Sequence, residues 1–168
     1  MNSMQAAAIG IVHSPFERAS GTPVQPFCAQ GVEGSLEVFP AFAEALRGLE
    51  GFERIWILFW CDRACAAQLS VIPYRDTVAH GLFATRVPAR PNPIGLSTVR
   101  LLGISGNIVR VGELDVLNGS PLLDIKPYVS QYDSYPDQRC GWLEGGTVRH
   151  DVIQADDRFE RSAARPSA

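Results

Sequence analysis

A chain of 168 residues supports one domain around a single core, and its balance of 46% apolar and 20% charged residues excludes global disorder. The formal net charge of −3 excludes a basic field over the whole molecule, so any nucleic acid must be met by a local patch. The four cysteines, Cys28, Cys61, Cys65 and Cys140, follow no zinc-ligand spacing, and they are expected to be reduced and structural rather than a disulfide framework.

In chain order, Met1 to Ala8 lacks the basic start and long apolar run of a leader. Ala8–Val12 predicts a first strand, broken at His13-Ser14-Pro15 because proline removes a backbone donor. Glu17–Gly34 is polar and rich in glycine and proline, which predicts a long loop of the kind that often carries function. Ser35–Phe39 predicts a short strand. Pro40–Leu49 predicts a helix, with proline suited to its first turn and Gly48 or Gly51 to its stop.

Arg54–Trp60, RIWILFW, is a nearly unbroken apolar run whose length favours a central strand. The apolar stretch through Cys61 is too short to span a bilayer, so a soluble, cytoplasmic protein without membrane contact is expected. Asp62–His80 is irregular. Leu82–Thr85 predicts a strand leading into a proline-dense segment, 86–93, that cannot form a ladder and predicts an ordered, extended turn. Ile94–Ile104 and Ile108–Leu114 predict a hairpin around Ser105-Gly106-Asn107. Pro121–Tyr128 predicts a last strand, and Asp151–Ala168 is small and charged enough to fray as a tail behind a domain spanning 1–150. Many short strands, one clear helix and frequent turns predict a mainly β architecture, a small barrel with one or two short helices.

Four segments carry candidate chemistry. The first is FATRVPARPNPIGLS, residues 83–97, where proline stiffens the backbone and Gly95 permits close approach of a ligand. From Arg75 to Arg110 the chain holds five arginines and a single acid, Asp76, a basic patch suited to phosphate or carboxylate. A rigid turn carrying solvated arginines fits the same residues. The second segment is DVLNGSPLLDIKPY, residues 115–128. Asn118-Gly119 favours a tight turn, and Asp124, Lys126 and Tyr128 alternate so that all three can share one face. They could serve proton transfer, or form a surface ion pair beside a packed tyrosine. The third, Gly21 to Pro26, offers the amide of Gln25 in a proline-punctuated loop. The fourth, Trp60 to Arg63, turns abruptly polar at a strand end, where ligand sites often lie. His13, His80 and His150 have no motif partner. No GxGxxG, P-loop or GxSxG occurs, which disfavours a Rossmann-type fold.

With these motifs the sequence resembles the TrmO (YaeB/TsaA-like) family. The resemblance is carried by residues 83–97 and by NGSPLLDIKPY at 118–128. It is supported by IGIVHSPF at 9–16, LRGLEGFERIWILFW at 46–60 and Gly141-Trp142. It implies a small β-barrel that binds S-adenosylmethionine (SAM) and acts as a homodimer. It further implies methylation of the exocyclic nitrogen of threonylcarbamoyladenosine in the tRNA anticodon loop. The family's cofactor contacts fall on Pro23, Val24, Gln25, Asp62, Arg63, Arg86, Leu96, Asn118, Gly119, Ser120 and Pro121.

Three departures accompany it. Asp62 stands where many relatives carry histidine, Val24 stands where arginine is common, and longer members continue into a C-terminal domain. Asp124 is the candidate proton acceptor, with Lys126 and Tyr128 orienting it or the base, because a carbamoylated amine is a poor nucleophile. Arg86 and Arg90 are candidates for the tRNA backbone or the threonyl carboxylate, with Asn92 beside them on the substrate side. A SAM-binding regulator, or a methyltransferase acting on a small molecule, are the rival readings.

Overall fold

The structure is a computed structural model that describes residues 4–145 and 153–161. Its frame is a closed six-stranded barrel in the order β1-β2-β7-β6-β3-β8. The strands are β1 (Gly10–His13), β2 (Glu33–Val38), β3 (Arg54–Trp60), β6 (Ile94–Ser105), β7 (Ile108–Gly112) and β8 (Pro121–Pro127). Two short strands, β4 (Ser70–Val71) and β5 (His80–Gly81), pair outside it. Every pairing is antiparallel, and closure removes the open edges that a flat sheet of this size would expose.

The interior follows from strand alternation. Val12, Leu36, Ile55, Ile57, Val99, Val109, Val111 and Leu122 are fully buried and pack together, with Leu114 and Val116 closing one end. Burying each such side chain stabilises the fold by about 1.5–3 kcal/mol relative to exposure. Strand β3 occupies the predicted bounds and lies between β6 and β8. Its outward face, Trp56, Leu58 and Trp60, is apolar and half-buried. Tyr128 meets the Trp56 ring edge-on at 5.7 Å, and Trp56 Nε1 donates to Asp133 Oδ2 at 3.3 Å.

The predicted hairpin is present, tightened to Gly106-Asn107, with Val109 and Val111 buried and Arg110 exposed between them. The 12-residue β6 serves two neighbours: Ile94–Arg100 pairs with β3 and Arg100–Ser105 with β7. A bulge between Leu101 and Gly103 shifts the register and increases the local twist needed to turn the barrel's corner.

Three expectations are corrected. Pro40–Leu49 does not form an α-helix; Pro40–Leu46 and Leu49–Gly51 are 3-10 turns. Gly48, in left-handed conformation at φ 87°, divides them before an α-helical ladder can develop. Leu82–Thr85 is not a strand but a 3-10 turn over Leu82–Ala84, because Leu82 inserts into a second apolar cluster instead of pairing. The tail, expected to fray from residue 151, is packed over 153–161: Ile153 and Phe159 are buried. Phe159 joins Val71, Leu82, Val87 and Ala89, and meets the Tyr74 ring edge-on at 5.3 Å. The α-helical turn that is present is one turn at Ser130–Asp133.

Candidate functional site

The inner row of β6 reads Gly95, Ser97, Val99, so the apolar core gives way to a glycine and a hydroxyl where β6 begins. A cavity of about 810 Å³ opens there. Its walls come from the end of β3, the start of β6, the proline-dense turn, the 115–120 segment, the loop at Ala19–Gln25 and the tail. Gly95 is required by closeness: a Cβ there would lie 2.2 Å from Cζ of Phe59, its register partner on β3.

The Ala19–Gln25 loop is held by the tail. Gly21 N donates to Ala155 O at 2.9 Å, Val24 N to Ile153 O at 3.2 Å, and Ala155 N to Thr22 O at 2.7 Å. Gln25 then receives Arg86 Nη1 on its side-chain oxygen at 2.5 Å, joining the loop to the proline-dense turn across the cavity. Arg63 ties two further segments: Nη1 donates to Glu17 O at 3.0 Å and Nη2 donates to Asn118 O. Its Nε is buried and, among the described residues, has no hydrogen-bond partner. Asp62 lies beside it, at 3.7 Å from that Nε.

Asp115 forms the polar floor. The chain leaves β7 through Glu113 at φ 60°, an uncommon conformation for a residue with a side chain. Glu113 is held there by Arg54 Nη2 at 2.8 Å, while its own N–H donates to Val32 O at 2.7 Å. The kink buries Leu114 and Val116 and leaves Asp115 facing the cavity, where Ser97 Oγ donates to its Oδ1 at 2.7 Å. Desolvation pushes the Asp115 carboxyl up to about 7; the Ser97 hydrogen bond, the residue's own N–H and the Arg86 charge offset only part of it. Burial, with Asp62 and Asp115 adding to it and Arg90 opposing, pushes the neighbouring Cys61 thiol up to about 12.

The cavity brings together Pro23, Val24, Gln25, Asp62, Arg63, Arg86, Leu96 and Ser120 from the residues marked for the cofactor, and Arg90 from those marked for substrate. Arg90 is anchored by its own turn, Nη1 donating to Thr85 O at 3.0 Å, and its guanidinium lies over the Phe83 ring. Asn118, Gly119 and Pro121 stand behind the wall. The Asn118 side chain accepts from Ser14 N at 3.2 Å and donates to Glu17 at 2.9 Å, and Gly119, at φ 79°, donates to Val12 O at 2.8 Å. Asn92 is exposed at the turn, outside the lining.

Asp124, Lys126 and Tyr128 also lie outside the lining. Lys126 Nζ sits 2.7 Å from Asp124 Oδ2 on the barrel's outer face, and Tyr128 packs on Trp56. Asp115 on the floor, and Phe59, Ala155, Phe159 and Glu160 in the wall, line the cavity without being among the residues the sequence marks for the site. The signal for Asp115 was an acid between two core residues, Leu114 and Val116. For the tail there was no local signal, only two isolated apolar residues. Trp142, noted within Gly141-Trp142, lines the cavity, donates Nε1 to Ala84 O at 2.8 Å and stacks on His80 at 4.6 Å. His80 is itself paired with Asp76 at 2.7 Å and His13 with Glu37 at 2.8 Å; His150 lies outside the described residues.

The model of the tRNA-methyltransferase O N-terminal domain matches residues 11–134. The chain belongs to the tRNA-methyltransferase O family. A Pyrococcus abyssi relative, described as a probable S-adenosyl-L-methionine-binding protein, is 47% identical over 90% of this chain and 82% of its own length. The Escherichia coli tRNA (adenine(37)-N6)-methyltransferase is 35% identical over 96% of this chain and 73% of its own. A crystal structure of TrmO from Pseudomonas aeruginosa superposes with a TM-score of 0.72 at 36% identity, over 86% of this chain. The chain spans 63% of that solved TrmO. The family's barrel therefore carries the cavity, and its matched region stops before the tail segment 153–161 that completes one wall.

Proposed function

We propose that the cavity binds S-adenosylmethionine and that the chain methylates the exocyclic nitrogen of threonylcarbamoyladenosine in the tRNA anticodon loop. The observation that carries this reading is convergence. Pro23–Gln25, Asp62-Arg63, Arg86, Leu96 and Ser120, far apart in sequence, surround one space of about 810 Å³. That volume suits a nucleoside-sized ligand, and the lining suits this one. Phe59, Leu96 and Val116 offer apolar contact to a base, the arginines Arg63 and Arg86 offer donors to a carboxylate, and Asp62 and Asp115 offer negative charge to a cation.

The cofactor's sulfonium supplies an already activated methyl group. The residues of the chain bind and orient. The Gln25–Arg86 link fixes the loop against the proline-dense turn, and Gly95 lets the ligand space extend to the Phe59 ring. Holding donor and acceptor aligned supplies much of the rate enhancement such a transfer needs. Arg90 and Asn92, in the cavity and on its outer turn, serve the tRNA side. Asp124 and Lys126, paired on the barrel's outer face, and Tyr128, packed on Trp56, stand outside the cavity and are not placed within one chain to take the nitrogen's proton. Exposed Phe83, Ile94 and Leu96 at the cavity support a homodimer, since large apolar side chains there favour cover by a second copy, and a cytoplasmic location follows only from the tRNA substrate proposed.

The test is transfer of labelled methyl from S-adenosylmethionine to tRNA isolated from cells lacking the protein, followed by nucleoside mass spectrometry. Methylated threonylcarbamoyladenosine is the expected product. Cofactor binding without any labelled tRNA would leave the cavity assignment standing and remove the acceptor.

A further inference from the structure

Three carboxyl groups line the cavity among the described residues: Asp62, Asp115 and Glu160. Asp62 is 43% exposed and has the Arg63 guanidinium 3.7 Å away, so water and a cation already serve it. Glu160 belongs to the tail segment bridged to Ala64 at the cavity wall. Asp115 differs from both. It sits on the floor, its side-chain hydrogen bond comes from the neutral Ser97 hydroxyl at 2.7 Å, and among the described residues no guanidinium lies within ion-pair distance.

Arg86 in the proline-dense turn is the charge that acts on it, the Cys61 thiol at the end of β3 lies within its electrostatic reach, and Arg90 and Asp62 line the same cavity. Arg86 is turned to Gln25 and Arg90 to the Thr85 carbonyl. A carboxyl lodged among protein atoms with a hydroxyl partner and a counter-charge, Arg86, that acts on it without pairing to it is an incomplete arrangement. A ligand carrying a fixed positive charge completes it.

We propose that Asp115 is the residue that distinguishes the charged cofactor from its uncharged product, meeting the sulfonium of S-adenosylmethionine as a carboxylate and giving the thioether of S-adenosylhomocysteine no comparable contact. The inference rests on the cofactor reading above and deepens it. Both ligands share adenosine, ribose and amino-acid parts, so the apolar wall and the arginines bind them alike. The difference between them is the methyl group and its charge, and Asp115 is the floor group whose energy changes with that charge. Because desolvation holds the carboxyl near 7, arrival of the cation drives a proton off Asp115 into solution. The thioether drives none.

Titration calorimetry of the full chain at pH 7, in two buffers of different ionisation enthalpy, reads this directly. S-adenosylmethionine is expected to release about half a proton, the fraction a group titrating near 7 holds at that pH. S-adenosylhomocysteine is expected to release none. Asp115→Asn keeps the shape and the Ser97 contact; it is expected to weaken S-adenosylmethionine about tenfold or more and S-adenosylhomocysteine less than about twofold. Equal weakening of both ligands, or heat from S-adenosylmethionine that does not depend on buffer, overturns the role of Asp115 while leaving the cofactor site in place. No heat from either ligand with the unaltered chain overturns the cofactor reading, and this inference with it. Should the variant fail to fold, the two-buffer measurement on the unaltered chain decides alone.

Discussion

The Phe59 ring lies against Gly95 across the β3–β6 ladder with no space for a methyl group, since a Cβ at 95 would stand 2.2 Å from Phe59 Cζ. The glycine in the family-like segment 83–97 is thus a packing requirement that also shapes the cavity. Gly95→Ala is expected to displace the ring into the cavity, costing about 1–3 kcal/mol of stability by overpacking. Cofactor affinity falls in the same variant. Thermal melts and calorimetry together check this, and Phe59→Leu in the Gly95→Ala background is expected to restore part of the stability. A fully stable Gly95→Ala protein would contradict the geometry.

Asp115 makes stability depend on pH in a direction opposite to that of an ordinary paired carboxylate. Its folded value is raised to about 7 from the usual carboxyl range near 4, so between those limits the native state holds a proton that the unfolded chain has lost. Stability therefore falls as pH rises from about 4 to about 7 and levels off above, by on the order of 2–4 kcal/mol for this group. Urea unfolding across that range is expected to show the decline for the unliganded protein, and Asp115→Asn is expected to flatten it.

The tail acts as a strap over the cavity wall. Phe159 inserts beside Tyr74, Leu82 and Val87, while residues 153–155 bond to the Gly21–Val24 backbone. Phe159→Ala is expected to cost about 3–5 kcal/mol locally. Hydrogen exchange should then show faster exchange at the amides of Gly21, Val24 and Ala155, with the amides of β3 still protected. Uniform loss of protection through the barrel would instead mean that the strap is part of the global core.

The cysteines should separate by reactivity. Burial, assisted by Asp62 and Asp115, keeps the Cys61 thiol protonated well above neutral pH, whereas Cys140 is exposed. Alkylation at pH 8 followed by peptide mass spectrometry is expected to find Cys140 modified and Cys61 unmodified until the chain is unfolded.

Local chemistry determined the strands and the turns. RIWILFW at 54–60 was legible as a buried strand because seven residues of that composition suit a strand with both faces covered, and Val109 and Val111 alternating with Arg110 declared a half-buried one. The proline-dense turn at 86–93 was legible because proline cannot join a ladder. What failed locally failed for lack of length or because packing overrode propensity. Pro40–Leu46 has helix-forming composition, but Gly48 ends it before propagation can repay nucleation, and Leu82 went into a distant cluster rather than a sheet.

The membership of the site was only half written in the chain. The resemblance gathered Pro23–Gln25, Asp62-Arg63, Arg86, Leu96 and Ser120 on family grounds, and closure of the barrel brought them around one space. Only the tertiary structure decided that Asp115 lies on its floor, through the kink at Glu113, and that Phe159 and Ala155 form its wall, through packing of the tail outside the barrel. The same closure sent Asn118 and Gly119 behind that wall, and Asp124 and Lys126 to the outside. The physical reason is that strand periodicity tells which side a residue faces, whereas solvation and charge environment depend on neighbours contributed by segments as much as a hundred positions away, as in the 2.9 Å contact between Asn118 and Glu17.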